Sequence, residues 1–324
     1  MRKTAAAAAL GLLLAGSLSA CGTAMSTPPN AKVEVQTAPY DVRPLLRPKN
    51  KFLGVTYEGA GTNAKALKKF ANAAGKKPNM VALYTDFKED YPVEKVKGLW
   101  DQGIVSLLVW EPFETGLGAI ADGSEDDRVV RFARAVRDLD IPLVLSFAHE
   151  MNGNWYPWGT KKNEPEDFLA AHRHLHDLFV KEGTTNVIWL WSPNVPSNSG
   201  KYKFQPYWPG DAYVDWVGPI GYFEWSNDSR SFDQLFGPSL TALRKFTKRP
   251  VLFPETASPP SADKPRYIAE LYQAIKSRKD LLGVVWFNLN KEHDWRVQSD
   301  TASLTAFREA VADPIFGFDP RKAG

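Results

Sequence analysis

Two glutamates are marked by the residues that precede them. Glu150 follows the apolar run "IPLVLSFA" and His149, and Glu255 closes the run "VLFPE". Each carboxyl stands where a buried segment ends. Hydrolysis of a glycoside needs two carboxyl groups flanking one anomeric carbon. One protonates the leaving oxygen, and the other attacks the carbon or activates water. Trp155, Tyr156 and Trp158 crowd in behind Glu150. Aromatic rings stack on the C–H faces of sugars, and a partly apolar wall raises a carboxyl pKa so that the group can act as an acid near neutral pH. Position alone does not select the pair, because Glu111, Glu114 and Glu224 occupy comparable places.

Such a pair needs a scaffold that brings distant segments to one rim. Eight apolar runs read as strands: 51–57, 79–85, 104–110, 142–148, 187–192, 213–222, 251–255 and 283–290. Most are near-continuous, as parallel strands covered on both faces should be. Amphipathic stretches separate them, with ordinary start signals at Asn63, Pro92, Ser124, Pro165 and Ser261. Eight strands alternating with helices fit a single (β/α)8 TIM barrel. A doubly wound open sheet is the rival. It lacks support, because "GVTYEGAG" after the first strand has no GxGxxG spacing. In a barrel, function collects where strands end. That rule selects Tyr57, Trp110, Glu111, His149, Glu150, Tyr222, Glu224, Glu255, Trp286 and Asn290.

Four segments carry a family resemblance: "HEMNGNWYPWG" (149–159), "YWPGDAYVDWVGPIGYFEW" (207–225), "PVLFPETAS" (250–258) and "VVWFNLNKEHDWRVQS" (284–299). They resemble, in order, the acid/base motif, the lead into strand six, the nucleophile strand and the strand-eight region of glycoside hydrolase family 26. The resemblance covers most of residues 51–310. It implies a retaining enzyme with Glu150 as acid/base after strand four and Glu255 as nucleophile after strand seven. It also implies that His149 positions groups beside Glu150 and that Tyr222 donates a hydrogen bond to Glu255. Trp286 would be the platform under the sugar at the cleavage point, and Trp155 and Trp158 would bind sugar near the leaving-group side. No metal or organic cofactor is implied.

The family's mannanases commonly carry Arg-Pro-Leu before the His-Glu pair and "WFWW" after it. Here these places read "SFA" and "WYPW". "WEPFE" (110–114) looks more like the family's mixed-linkage glucanases, so β-1,4-mannan and β-1,3-1,4-glucan both remain open as substrates. Trp110 and Glu111 are expected to border the cleavage point, with Glu111 or a neighbour reading the 2-hydroxyl that separates mannose from glucose.

The ends and the charge complete the reading. Arg2 and Lys3, the apolar "AAAAALGLLLAG" and "LSAC" form the pattern of a bacterial lipoprotein signal over residues 1–20, with lipid on Cys21, the single cysteine of the 324 residues. Residues 21–50 read as a Pro-containing tether and 51–324 as the catalytic domain. Location is expected to be extracytoplasmic, on the bacterial cell membrane and held there only by the lipid. Removing residues 1–20 leaves 38 basic side chains of the original 40, against 37 acidic ones. Such a balance does not attract nucleic acid. A neutral polysaccharide is the expected partner, and a monomer the expected state. A catalytically inactive carbohydrate-binding barrel is the alternative function; it would need the aromatics but not both carboxylates. His172, His174 and His176 share a helical stretch without an evident third metal ligand and read as a polar helix surface.

Overall fold

A computed structural model describes residues 39–196 and 203–323. Cys21 and the signal-like segment lie outside the described residues. Eight parallel strands close on themselves in chain order: β1 (Phe52–Thr56), β2 (Met80–Asp86), β3 (Val105–Glu111), β4 (Leu143–Phe147), β5 (Val187–Trp191), β6 (Trp216–Val217), β7 (Val251–Thr256) and β8 (Leu281–Phe287). The expected (β/α)8 barrel is therefore what the chain forms. The ring is sealed by β1 pairing with β8, from Phe52 opposite Gly283 to Thr56 opposite Phe287.

Helices α1 (Arg43–Leu46), α2 (Ala64–Ala74), α3 (Val93–Trp100), α4 (Leu117–Ala121), α5 (Asp126–Leu139), α6 (Pro165–Lys181), α7 (Phe232–Leu243), α8 (Lys264–Ser277) and α9 (Thr301–Val311) accompany the strands. Asn63 caps α2 by accepting from the Ala66 amide at 2.9 Å. Pro165 opens α6, whose cap is Glu164 in a reciprocal pair with Asp167. Two 3-10 turns, Gln205–Tyr207 and Asp211–Tyr213, precede β6 where other connections have α-helices.

Strand alternation sorts the core into two compartments. Val105, Leu107 and Val109 of β3 point into the barrel with Met80, Ala82, Val144, Ile188, Leu190 and Leu252. Leu108 and Trp110 point the other way, into the layer between barrel and helices. Following the inward parity up β2 and β3 leads to Tyr84 and Glu111 at the rim.

Three boundaries differ from expectation. Strand six is expected over 213–222, but its regular part is Trp216–Val217. Pro219 has no amide to donate to a ladder. Gly218 lies so close to β7 that an added Cβ would be 2.8 Å from the Leu252 carbonyl oxygen. Strand eight starts at Leu281 and stops at Phe287. Beyond it the Asn288 side chain accepts from the Val297 amide at 2.8 Å and folds the next loop back. Finally, the compact unit starts at Pro39 rather than 51. Leu45 is fully buried against the barrel interior, and the Trp216 indole donates to the Leu46 carbonyl at 3.0 Å. Residues 39–50 thus stop the base of the barrel instead of belonging to a tether.

Candidate active site

Just after β4 the backbone turns sharply. Ala148 and Glu150 both take left-handed conformations, with φ of 47° and 54°. Non-glycine residues there store strain of about 1–3 kcal/mol each. The Glu150 amide donates to the Ser192 carbonyl at 2.7 Å, fastening the turn to the end of β5. The turn aims the Glu150 side chain into a cleft of about 880 Å3 at the C-terminal mouth of the barrel. That volume is in the ~300–1,000 Å3 range of ligand sites.

Trp155 Nε1 donates to Glu150 Oε2 at 2.8 Å, and the Asn194 amide donates to Oε1. Asn194 is itself held by Asn152, whose side chain bonds both its carbonyl at 2.9 Å and its amide at 2.8 Å. Burial pushes the Glu150 carboxyl up, the charge of Glu255 pushes it further, and it reaches about 8. Near neutral pH it carries a proton.

Glu255 shares the cleft. Burial raises its carboxyl, but the phenols of Tyr222 and Tyr84 each donate to one of its oxygens and favour the ionised form. Lys291 acts in the same direction. Both phenols are held well above their ordinary pKa, first by burial and next by Glu255, so they remain donors. The two carboxyls of one cleft are therefore prepared for opposite duties. Glu150 keeps its proton, while the two phenols and Lys291 favour the ionised form of Glu255 against its burial.

Glu111 also lines the cleft. Burial and the charge of Glu255 lift it to about 7, while Lys291 opposes. His149 lies beneath, its Nδ1 at 3.9 Å from Glu111 Oε1. Burial depresses His149 to about 3, so the ring is neutral. Its Nε2 meets the Tyr156 hydroxyl at 3.1 Å. Glu150, Glu255, Tyr222, Glu111 and Trp155 line one cleft, and His149 is buried behind it.

Three tryptophans stand elsewhere. Trp110 is fully buried among Phe87, Phe132 and Phe147 in the layer under the helices, and cannot touch substrate. Outward parity on β3 put it there. Trp286 is also fully buried. It is not the sugar platform, and its indole donates to the Trp295 carbonyl at 2.8 Å. Trp295 lines the cleft in its place, with its ring 4.9 Å from Tyr222. Trp158 stacks under Tyr156 at 4.4 Å and donates to the His149 carbonyl at 2.7 Å, so it supports the wall without forming its surface. Tyr84, Asn194 and Trp225 are cleft residues that sequence reading passed over. Tyr84 was accessible to it, because Met80, Ala82 and Tyr84 alternate along β2. Asn194 and Trp225 lie on loops, where no period applies.

The histidines of α6 have three separate surroundings. His172 is buried with Nε2 3.3 Å from the Tyr213 carbonyl, His174 meets Asp126 at 2.6 Å, and His176 packs on Trp189 and Tyr213.

Fold and site together define a (β/α)8-barrel protein with a two-carboxylate cleft walled by aromatic rings. The sequence profile of Glycosyl hydrolase family 26 matches residues 122–259, a span holding both carboxylates, and the chain belongs to that family. Endoglucanase H of Acetivibrio thermocellus is 32% identical over 266 residues, covering 78% of this chain and 29% of that protein. Mannan endo-1,4-beta-mannosidase of Bacillus subtilis strain 168 is 30% identical over 149 residues, 44% of this chain and 36% of that protein. The chain thus spans about a third of the length of these two relatives. The catalytic domain of the GH26 endo-beta-1,4-mannanase of Bacillus sp. JAMB-750 superposes with a TM-score of 0.66, at 18% identity, over 86% of this chain and 90% of that one. The GH26 beta-mannanase of Bacteroides ovatus gives 0.65, at 19% identity, over 85% and 92%. At such identities the two structures share the barrel.

Proposed function

We propose that the chain is a retaining endo-β-glycanase acting on a neutral β-linked polysaccharide. The observation that carries this reading is the opposed preparation of Glu150 and Glu255 in one cleft. In the first step the Glu255 carboxylate attacks the anomeric carbon while Glu150 gives its proton to the leaving glycosidic oxygen. The C–O bond breaks, and the sugar is held as an ester on Glu255. Esterification removes the Glu255 charge that helps hold the Glu150 pKa up. Glu150, now ionised and more acidic, takes a proton from water as that water attacks the anomeric carbon, and the bond from that carbon to Glu255 breaks. Free sugar of unchanged configuration leaves, and both carboxyls return to their starting states.

Of the two backbones considered, β-1,3-1,4-glucan is the better supported. Endoglucanase H aligns over 78% of the chain and the Bacillus subtilis mannosidase over 44%. Glu111, a buried polar group in the cleft, is placed where it could read a hydroxyl; a site built to bond one hydroxyl rejects the sugar that lacks it there. The test is hydrolysis of mixed-linkage glucan, mannan and 1,3-xylan, followed by reducing ends and by the configuration of the first product. Glu150→Ala should lose about 10²–10⁴-fold on polysaccharide and regain turnover with azide as a β-glycosyl azide. Glu255→Ala should lose turnover outright. First product of inverted configuration, or a loss under tenfold in either variant, refutes these roles. Glu111→Gln should collapse the glucan-to-mannan ratio of kcat/KM; equal losses on both would remove Glu111 as selector.

A further inference from the structure

Helix α8 lies outside the cleft, yet its first turn ties down two of the loops that wall it. Lys264 is fully buried, an unusual place for a lysine. Its ammonium donates to the Arg296 carbonyl at 2.9 Å, the Ser299 hydroxyl at 3.1 Å and the Asp294 carbonyl at 3.3 Å. Those groups bracket Trp295. Three residues on, and so on the same helix face, the Tyr267 hydroxyl donates to Glu224 Oε1 at 2.9 Å. Its ring stacks flat on Phe223 at 4.9 Å.

Glu224 immediately precedes Trp225 in a tight loop where Glu224, Asn227 and Asp228 all have positive φ. Three non-glycine residues in that region within five positions are costly and persist only when the surroundings impose them. The loop brings out Trp225, which lines the cleft and is 59% exposed. Trp225 and Trp295 sit 6.0 Å apart, with the His293 ring about 5 Å from each. A large aromatic ring left open at the rim of the cleft suits the C–H face of a pyranose.

We propose that Trp225 is a binding platform for a glycosyl unit beyond the one being cleaved, and that Lys264 and Tyr267 are positioning residues that mount it and Trp295 from the first turn of α8. This rests on the glycanase reading above. Lys264 fastens one loop and Tyr267 the other, so a single helical turn sets the spacing of the aromatic wall.

The experiment measures kcat and KM on soluble mixed-linkage glucan and on mannan, together with oligosaccharide binding followed by tryptophan fluorescence. The proteins are wild type, Trp225→Ala, Lys264→Met and Tyr267→Phe. Loss of one stacking surface is expected to raise polymer KM about tenfold in Trp225→Ala. Tyr267→Phe keeps the ring stack and removes one hydrogen bond, so it should fold, and it should raise KM in the same direction by about threefold. Lys264→Met should raise it further than Tyr267→Phe. A residue that only stabilises the fold lowers the thermal midpoint and the fraction of active enzyme, leaving the KM of the active fraction alone. KM unchanged in Trp225→Ala overturns the platform. KM unchanged in Tyr267→Phe with a lowered midpoint overturns the mounting role. A wild-type protein that neither cleaves nor binds either polymer overturns the glycanase reading instead, so the two failures are separable.

Discussion

At the scale of single residues, the site depends on one burial serving two carboxyls in different ways. Both lose water, which raises both pKa values. Each accepts two hydrogen bonds, Glu255 from Tyr222 and Tyr84 and Glu150 from Trp155 and Asn194, while Lys291 further favours the ionised Glu255 and the charge of Glu255 raises Glu150. The pH profile of kcat/KM should fall on its alkaline side near 8, as Glu150 loses the proton it must donate. The acid side should be set by Glu255, which must be ionised to attack. Tyr84→Phe removes a donor that favours the ionised form. The Glu255 pKa then rises, and the acid limb should move to higher pH while the alkaline limb stays. Losing one charge-assisted hydrogen bond of ~1.5–3 kcal/mol should cost about tenfold to a hundredfold in kcat/KM. An acid limb that does not move would remove Tyr84 from this role. Trp155→Phe works on the other carboxyl. It takes a donor from Glu150, so the alkaline limb should shift upward.

At the scale of elements, each strand contributes two kinds of residue and sends them to different places. Along β3, Glu111 ends the inward series and reaches the cleft, while its neighbour Trp110 ends the outward series and is sealed under α5 by Phe132. Residue type alone makes Trp110 look like a sugar binder; the two-residue period of the strand decides otherwise. The base of the barrel is an element-level matter too. Leu45 on α1 fills the interior from below, so Leu45→Ala should destabilise by about 2–5 kcal/mol. The expected readout is a lower urea midpoint with unchanged KM and an unchanged pH profile. A midpoint within error of wild type would mean that α1 contributes no plug.

At the scale of the whole molecule, near-neutral charge and an aromatic cleft support the neutral polysaccharide we propose as partner, and the first residues bear on where the protein meets it. The "LSAC" pattern leads us to propose an extracytoplasmic protein carried on lipid at Cys21. Cys21→Ser should accumulate unprocessed precursor or release soluble protein on fractionation. Membrane-bound, lipid-labelled Cys21→Ser protein would contradict the anchor.

The sequence by itself determined the barrel and the two carboxyls. Strand and helix periods are local and repeat eight times, and a strand end locates a carboxyl to within a residue. Glu150 and Glu255 were legible because each closes an apolar run and lies inside a motif. What the tertiary structure alone decided is which ring faces the cleft and what holds each carboxyl. Trp286 and Trp295 are nine positions apart, and Trp295 rather than Trp286 lines the cleft because the loop folds back through Asn288 and Lys264. Tyr84 reaches Glu255 across 171 positions of sequence and Asn194 reaches Glu150 across 44. Contacts of that kind come from closing the barrel, which brings the ends of β2 and β7 to one rim. No local pattern records that closure, and burial, which sets the pKa values, exists only once it has happened.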